Sequence, residues 1–506
     1  MAQMSKAKLK GPELWRWPAL IYTALLLSVY VVIVPSGGYT EFKGFKYVLF
    51  AALTAAFIAG EYLLRLEMRL VGAKVLAPKF RVNAFELCVL AYVLLTAVSA
   101  LLSQYDGTLF GNERRDGFVT IALYGALCVV LSRSLAPKKW LAMVFGAAMC
   151  VFCALGLLQL YGLNPLSLFP EGYDFYDAGV YYSSQFWSTA GNADISAALL
   201  AVSAGIFAAL LIKTQAAWGY APLVLTVFSI SELNVSAAVL ALFVGLALAL
   251  PVLVCSGAEL RRAFAVYGAV AASFALGRII VFGRASLSLS FGTVWVTLLG
   301  AGIILAAASL LLRGRLDGAK LNAKKLRLIL LCLVLAAFIF GLAVIYFAPD
   351  LGIEMLSQAQ ELLHGNVSDK AGSGRIFIWR QVWDCIKEKP IFGGGPDTLG
   401  QRGLEGFSRY NPAVGYVVSS SIDAAHNEYL NIWVNQGLLA LLAYLALLGV
   451  SVVKWVRNPN DTVCAVCGAA ALLYAIQAFF GISSCIVSPL FWLTFAMVNR
   501  RDGEVK

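Results

Sequence analysis

The residues of this chain best suited to chemistry lie between Gly372 and Gly437. The stretch reads GSGRIFIWRQVWDCIKEKPIFGGGPDTLG, then a polar loop, then AHNEYLNIWVNQG. Arg375 and Arg380 carry planar, permanently charged forks that match the oxygens of a phosphate. His426, one of only two histidines, stands beside Asn427 and Glu428 and offers a general base or an anion contact. The same types also suit plainer roles. The arginines would pair with acidic loops or snorkel to lipid phosphates, and a lone histidine is often structural. His364 falls in a polar loop and reads as solvated. Gly393–Gly395 before Pro396 reads as a tight turn or as a backbone nest for an anion.

Other polar residues fall on the same side of the chain's expected topology. Arg114 and Arg115 lie in FGNERRDGF, Asn192 in STAGNADIS, and Arg278 and Arg284 at the end of an apolar run. An ionisable residue within a span is a functional candidate by default, which singles out Arg278. No Ser-His-Asp spacing, phosphate-binding loop or metal-ligand cluster is visible, so neither a metal nor a cofactor is expected.

These side chains need elements to hold them. SGRIFIWRQVWDCIKEKP reads as an amphipathic helix with Ser373 as N-cap and Pro390 as its stop. Ile376, Trp379, Val382, Trp383 and Ile386 form its apolar stripe. Arg375 then sits in the first turn, where a cation opposes the helix dipole. Such a breach of a local rule is where a ligand is to be expected.

Almost everything else is apolar enough for a bilayer. The 506 residues are 60% hydrophobic and 13% charged, against roughly a quarter charged in soluble domains. Apolar runs near 17–34, 46–62, 84–103, 117–133, 140–161, 194–213, 218–231, 235–254, 263–282, 293–312, 326–347, 432–453, 462–481 and 484–498 predict about fourteen transmembrane helices. The fold expected is therefore all-α and polytopic. Residues 1–348 form helices 1–11, 349–431 a large extracytoplasmic insert, and 432–506 helices 12–14 with a tail.

Lys and Arg collect in alternate loops: Leu63–Arg81, Ser132–Lys139, Cys255–Arg262, Arg313–Arg327 and Lys454–Asp461. The positive-inside rule puts these loops and both termini in the cytoplasm, and the insert outside. It also accounts for the net charge of +11 without nucleic acid, which is not an expected partner. The basic N-terminus has no small-residue cleavage site after its apolar run, so that run reads as a retained first span. Most of the ten cysteines lie in apolar runs and read as small hydrophobes.

Several of these features together resemble the O-antigen ligase and polymerase superfamily of bacterial membrane enzymes. His426-Asn427 with Gly437 ten residues after the Asn is similar to the family's His-Asn, nine residues, Gly pattern. Ala440 takes a place usually held by Gly, Thr or Tyr. GRIFIWRQVWDCIKEKPIFGGGPDTLG resembles its Arg-bearing helix and Pro-x-x-Gly-x-Gly turn. GNADISAALL resembles a Gly-Asn-Pro-Asn start of a span, with Ala193 and Asp194 substituted, and FGNERRDGF an Arg-then-Gly loop. A span arginine usual in ligases is replaced here by Ser236.

The resemblance implies a GT-C-like helical architecture in the bacterial cytoplasmic membrane and a metal-independent glycosyl transfer at its outer face. The donor would be an undecaprenyl-diphosphate-linked saccharide and the acceptor a glycan or glycolipid. His426 would be the base, and Arg375 and Arg380 would clamp the departing diphosphate. Arg114, Arg115, Asn192, Arg278 and Asn427 would bind substrate. Two other classes fit a chain of this composition: a polysaccharide transporter or flippase, and a non-catalytic envelope-assembly protein. A transporter should show repeated halves, and no internal repeat is visible.

Overall fold

The computed structural model of the chain describes residues 16–70, 82–169, 176–177, 180–181, 184–347, 353–366, 372, 374–411 and 415–501. In chain order the helices are α1 (Trp17–Leu27), α2 (Val29–Val32), α3 (Phe42–Leu70), α4 (Ala84–Leu101), α5 (Phe118–Ser134) and α6 (Lys139–Leu160). They continue with α7 (Ala193–Lys213), α8 (Tyr220–Leu233), α9 (Ser236–Leu253), α10 (Gly257–Ile279), α11 (Thr293–Leu311), α12 (Arg313–Asp317) and α13 (Ala323–Phe347). The last are α14 (Glu354–Leu363), α15 (Arg375–Glu388), α16 (Glu428–Gln436), α17 (Leu438–Arg457), α18 (Thr462–Gln477) and α19 (Ser488–Val498).

A helix overlaps every segment expected to span. Among the described residues, eight helices are long and apolar enough to cross a membrane, from α3 to α17, and five shorter apolar helices accompany them. The chain is thus mainly helical and multi-helix, as its composition requires. Among the described residues, three two-stranded antiparallel sheets depart from a purely helical fold: β1 (Tyr176–Asp177) with β2 (Val180–Tyr181), β3 (Ile280–Gly283) with β4 (Ser286–Leu289), and β5 (Phe407–Asn411) with β6 (Tyr416–Ser420). The run expected over 432–453 is divided. Gly437, at φ 90, breaks α16 from α17 because the chain must turn where it meets the backbone of Ile391.

The centre of the bundle is α7, of which 89% of the apolar window is buried. Its small residues allow this. A Cβ at Gly205 would lie 2.7 Å from Ala470 Cα, so α7 and α18 approach almost backbone to backbone. Gly268 and Gly302 do the same for α10 and α11. At the other extreme, only 6% of the α13 window is buried, so nearly all of its apolar surface is left for lipid.

α7 carries Asp194 in its first turn and Lys213 in its last. Lys213 pairs with Glu259, and around it gather cations read as interior: Arg261 with Asp317, and Arg500 with Asp461. There Glu86 is held by Arg133 and Arg501 together. The candidate residues of the insert gather at the Asp194 end.

Candidate active site

Asn192 is the N-cap of α7; its side-chain oxygen accepts from the N–H groups of Asp194 and Ile195 at 2.8 and 3.2 Å. The cap fixes Asp194 in the first turn, where a carboxylate is favoured by the free N–H groups of the helix end. From there its two oxygens face two partners. Oδ1 is 3.6 Å from Arg375 Nη2, and Oδ2 is 3.5 Å from His426 Nδ1. In the sequence Asp194 stood out only as a substituted motif position, yet it joins two of the candidate residues.

Arg375 opens α15 directly after Gly374, a left-handed N-cap at φ 82 with no side-chain cap bond. Gly374 holds the cap position expected of Ser373, which lies outside the described residues. The guanidinium turns back off the helix. Nε donates to the Phe480 carbonyl at 3.1 Å and Nη1 to the Gly372 carbonyl at 3.0 Å. These acceptors and Asp194 offset the unfavourable placement at the positive end of α15.

The buried face of α15 is Ile378, Val382 and Ile386, packed on Leu399, Ile422, Ala425 and Val434. That differs from the expected stripe, since Trp383 is 47% exposed. The insert forms its own small core against α16, so α15 rests on protein along that face. Trp379 Nε1 donates to the Ala425 carbonyl at 2.9 Å, which ties α15 to the residue before His426.

His426 is held on both sides. Ala425 N–H donates to Asn431 Oδ1 at 3.2 Å, and Asn427 caps α16 by accepting from Leu430 N–H at 3.0 Å. His426 itself has φ 46, a left-handed conformation rare outside glycine, and such outliers persist where surrounding bonds over-determine them. The imidazole is part-exposed. A carboxylate only accepts, so Asp194 favours the tautomer with hydrogen on Nδ1 and leaves Nε2 as the basic nitrogen.

A second ion pair lies beside the first. Arg114 Nη2 is 2.5 Å from Asp423 Oδ1. Burial pushes Asp423 upward, but the Arg114 guanidinium outweighs it and holds the carboxyl below its ordinary range. Asp397, one residue past the glycine run and its proline, positions the Arg114 loop. Its Oδ2 accepts from the N–H groups of Asn112 and Arg114 at 2.5 and 3.2 Å.

The three glycines make no anion nest. Their N–H groups donate to the carbonyls of Lys389, Val434 and Asn435. A Cβ at Gly393 would meet Asn435 backbone at 2.5 Å, and one at Gly437 would meet Ile391 O at 2.1 Å. The turn therefore clasps the α16–α17 break.

Behind these pairs lies a polar cavity of about 40 Å³ lined by Arg114, Asp116, Asp397, Glu428, Asn431 and Tyr444 among others. Glu428 is buried and receives the hydroxyls of Tyr444 and Tyr474 at 2.6 and 2.8 Å. Burial raises its carboxyl despite those donors. Burial, with Asp116 adding like charge, pushes Asp397 up to about 7. Burial pushes Asp116 up to about 6, against a hydrogen bond from Ser483.

The remaining candidates differ in position. Arg115 is exposed, with φ 58. Arg380 is exposed on α15, about 140° around the helix from Arg375 at its helical spacing. Arg278 reaches the Ser231 carbonyl at 3.5 Å and lies 5.2 Å from the centre of the Trp295 ring. That places it by the α8–α9 turn leading to Ser236. Asn192 and Asn427 have their oxygens engaged as helix caps. Among the described residues no group of three or more His, Cys, Asp or Glu converges to hold a metal ion.

Comparison with known proteins places this geometry in a family context. Residues 279–445 match the O-antigen ligase family model, a segment containing Arg375, Arg380, His426, Asn427 and Gly437. That segment is about a third of the chain, and its match agrees with the resemblance that the motifs carry. An uncharacterized protein of Haemophilus influenzae is 25% identical over 138 residues, which is 26% of this chain and 33% of that protein. The match thus spans about a third of the relative's length.

Proposed function

We propose that this chain, similar to the O-antigen ligase family over residues 279–445, is a membrane glycosyltransferase. It transfers or polymerises an undecaprenyl-diphosphate-linked saccharide at the outer face of the bacterial cytoplasmic membrane, with both termini cytoplasmic. The observation that carries the reading is the Asp194 carboxylate shared by Arg375 and His426. It brings a cation and a base from distant parts of the chain to one point at the end of α7.

In the reaction, an acceptor hydroxyl oxygen attacks the anomeric carbon of the donor sugar. The bond from that carbon to the diphosphate oxygen breaks, and the electron pair leaves with the diphosphate. His426 takes the hydroxyl proton on Nε2 while Asp194 steadies the ring and the charge it gains. Arg375, with Arg114 beside it, meets the charge that develops on the leaving diphosphate. Following the resemblance, guanidinium groups fill this role without a metal. The acceptor is a glycan or glycolipid.

The test is a reconstituted assay with an undecaprenyl-diphosphate oligosaccharide from the host, following release of undecaprenyl diphosphate with and without acceptors. Release that requires Arg375 and His426 supports the transferase. Movement of the lipid-linked glycan between leaflets without release would support a transporter instead. Activity indifferent to His426→Ala would support an assembly role.

A further inference from the structure

A cleft lies at the end of α7 opposite Asp194. It is an apolar cleft of about 810 Å³, within the range of about 300–1,000 Å³ typical of ligand sites. Its walls come from five helices: Leu27 on α1, Phe145 on α6, Ile206 on α7, Val466 on α18 and Leu493 on α19. Lys138, Lys139, Thr214 and Gln215 stand among its polar lining, all at helix ends.

Charge and helix polarity agree on what fits. Lys138 is the N-cap of α6 and Lys139 its first residue, with no side-chain cap bond and no acidic residue in the first turn. Two cations at a positive helix end are unfavourable alone, and the free N–H groups there have no capping oxygen from the N-cap side chain. An anion at this point would relieve both. Trp140, 42% exposed, follows directly, as the aromatic residue of a membrane–water interface. An apolar cleft running down from an anion site is the outline of a lipid with a charged head and a hydrocarbon tail.

We propose that the cleft binds one anionic phospholipid of the surrounding membrane, its phosphate on Lys138, Lys139 and the start of α6, and an acyl chain in the cleft. Basic pockets between membrane helices recognise anionic headgroups in this way. The inference is independent of the glycosyl-transfer reading.

The test is native mass spectrometry of the full chain in mild detergent with equal phosphatidylglycerol and phosphatidylethanolamine. Phosphatidylglycerol should be retained preferentially, by about fivefold for each lysine. Lys138→Ala/Lys139→Ala should abolish the preference, whereas Lys320→Ala/Lys324→Ala, at exposed cations outside the cleft, should keep it. Ala142→Trp, which fills the cleft, should reduce retention of both lipids. Each variant is first shown to be monodisperse, and Lys138→Gln/Lys139→Gln replaces any that is not. Equal retention of the two lipids by the wild type would overturn the proposal. So would a preference that survives loss of both lysines.

Discussion

His426 Nδ1 lies 3.5 Å from Asp194 Oδ2, and the other oxygen of the same carboxylate faces Arg375. Exchanging that carboxylate for an amide keeps the shape and removes the charge. In Asp194→Asn, release of undecaprenyl diphosphate should fall by about 10²–10⁴, the scale seen when a histidine loses its orienting carboxylate. The protein should remain folded, because the N-cap of α7 is Asn192. An unchanged rate would mean that Asp194 orients neither partner.

The two insert arginines should separate. Arg375→Ala removes the guanidinium beside Asp194, and the rate should drop by about 10²-fold or more, as for loss of a donor to developing charge. Arg380→Ala changes an exposed residue on another face of α15, and its loss should stay within about tenfold. Equal losses in the same assay would argue against Arg375 as the principal clamp.

The glycine contacts differ in a way stability can read. Gly437→Ala would force a Cβ to 2.1 Å from Ile391 O at φ 90, costing on the order of 3 kcal/mol or more. Gly403, at φ 67, has nothing within 4 Å of its Cβ position, so Gly403→Ala should cost only about 1 kcal/mol. Thermal unfolding in detergent ranks the two, and similar losses would contradict the clasp between the glycine turn and α17.

The buried acids set a pH dependence. Asp397 and Asp116 are pushed up to about 7 and about 6, from ordinary values near ~4 in the unfolded chain. The folded chain therefore holds more protons across that interval, so stability falls as pH rises from about 4 to about 7. Asp397→Asn should flatten the fall, on the order of a few kcal/mol. The Arg114–Asp423 pair acts oppositely: its contribution is present above about pH 4 and fades below it. Unfolding measured at pH 5 and pH 8 checks the sign, and an unchanged slope in Asp397→Asn would contradict it.

Sequence reading reached the helices because membrane spans are long and uniformly apolar, and each expected segment overlaps a helix. It reached Arg375 and His426 because charge and histidine are conspicuous in such a chain. It did not reach Asp194, which opens the apolar α7 while its partners lie far along the chain, so no local spacing marks it. Asn-x-Asp before an apolar run was a usable capping signal. Asn192 and Asn427 instead read as ligand contacts, although both precede helices and now serve as caps. Gly437 was read as a motif position inside one span and not as a break, and only the approach of Ile391 shows why the chain turns there. Arg278 drew notice as a charge near a span, but it meets Ser231 and Trp295, on α8 and α11.

The central claim is that His426 takes the acceptor's proton with Asp194 behind it. The most direct measurement compares wild type, His426→Ala and Asp194→Asn in the reconstituted assay, reading undecaprenyl diphosphate release against pH with each protein verified as folded. Release should require an acceptor and fall by at least about 10² in His426→Ala. Acceptor-dependent release that proceeds at the wild-type rate and pH profile without His426 would contradict the account.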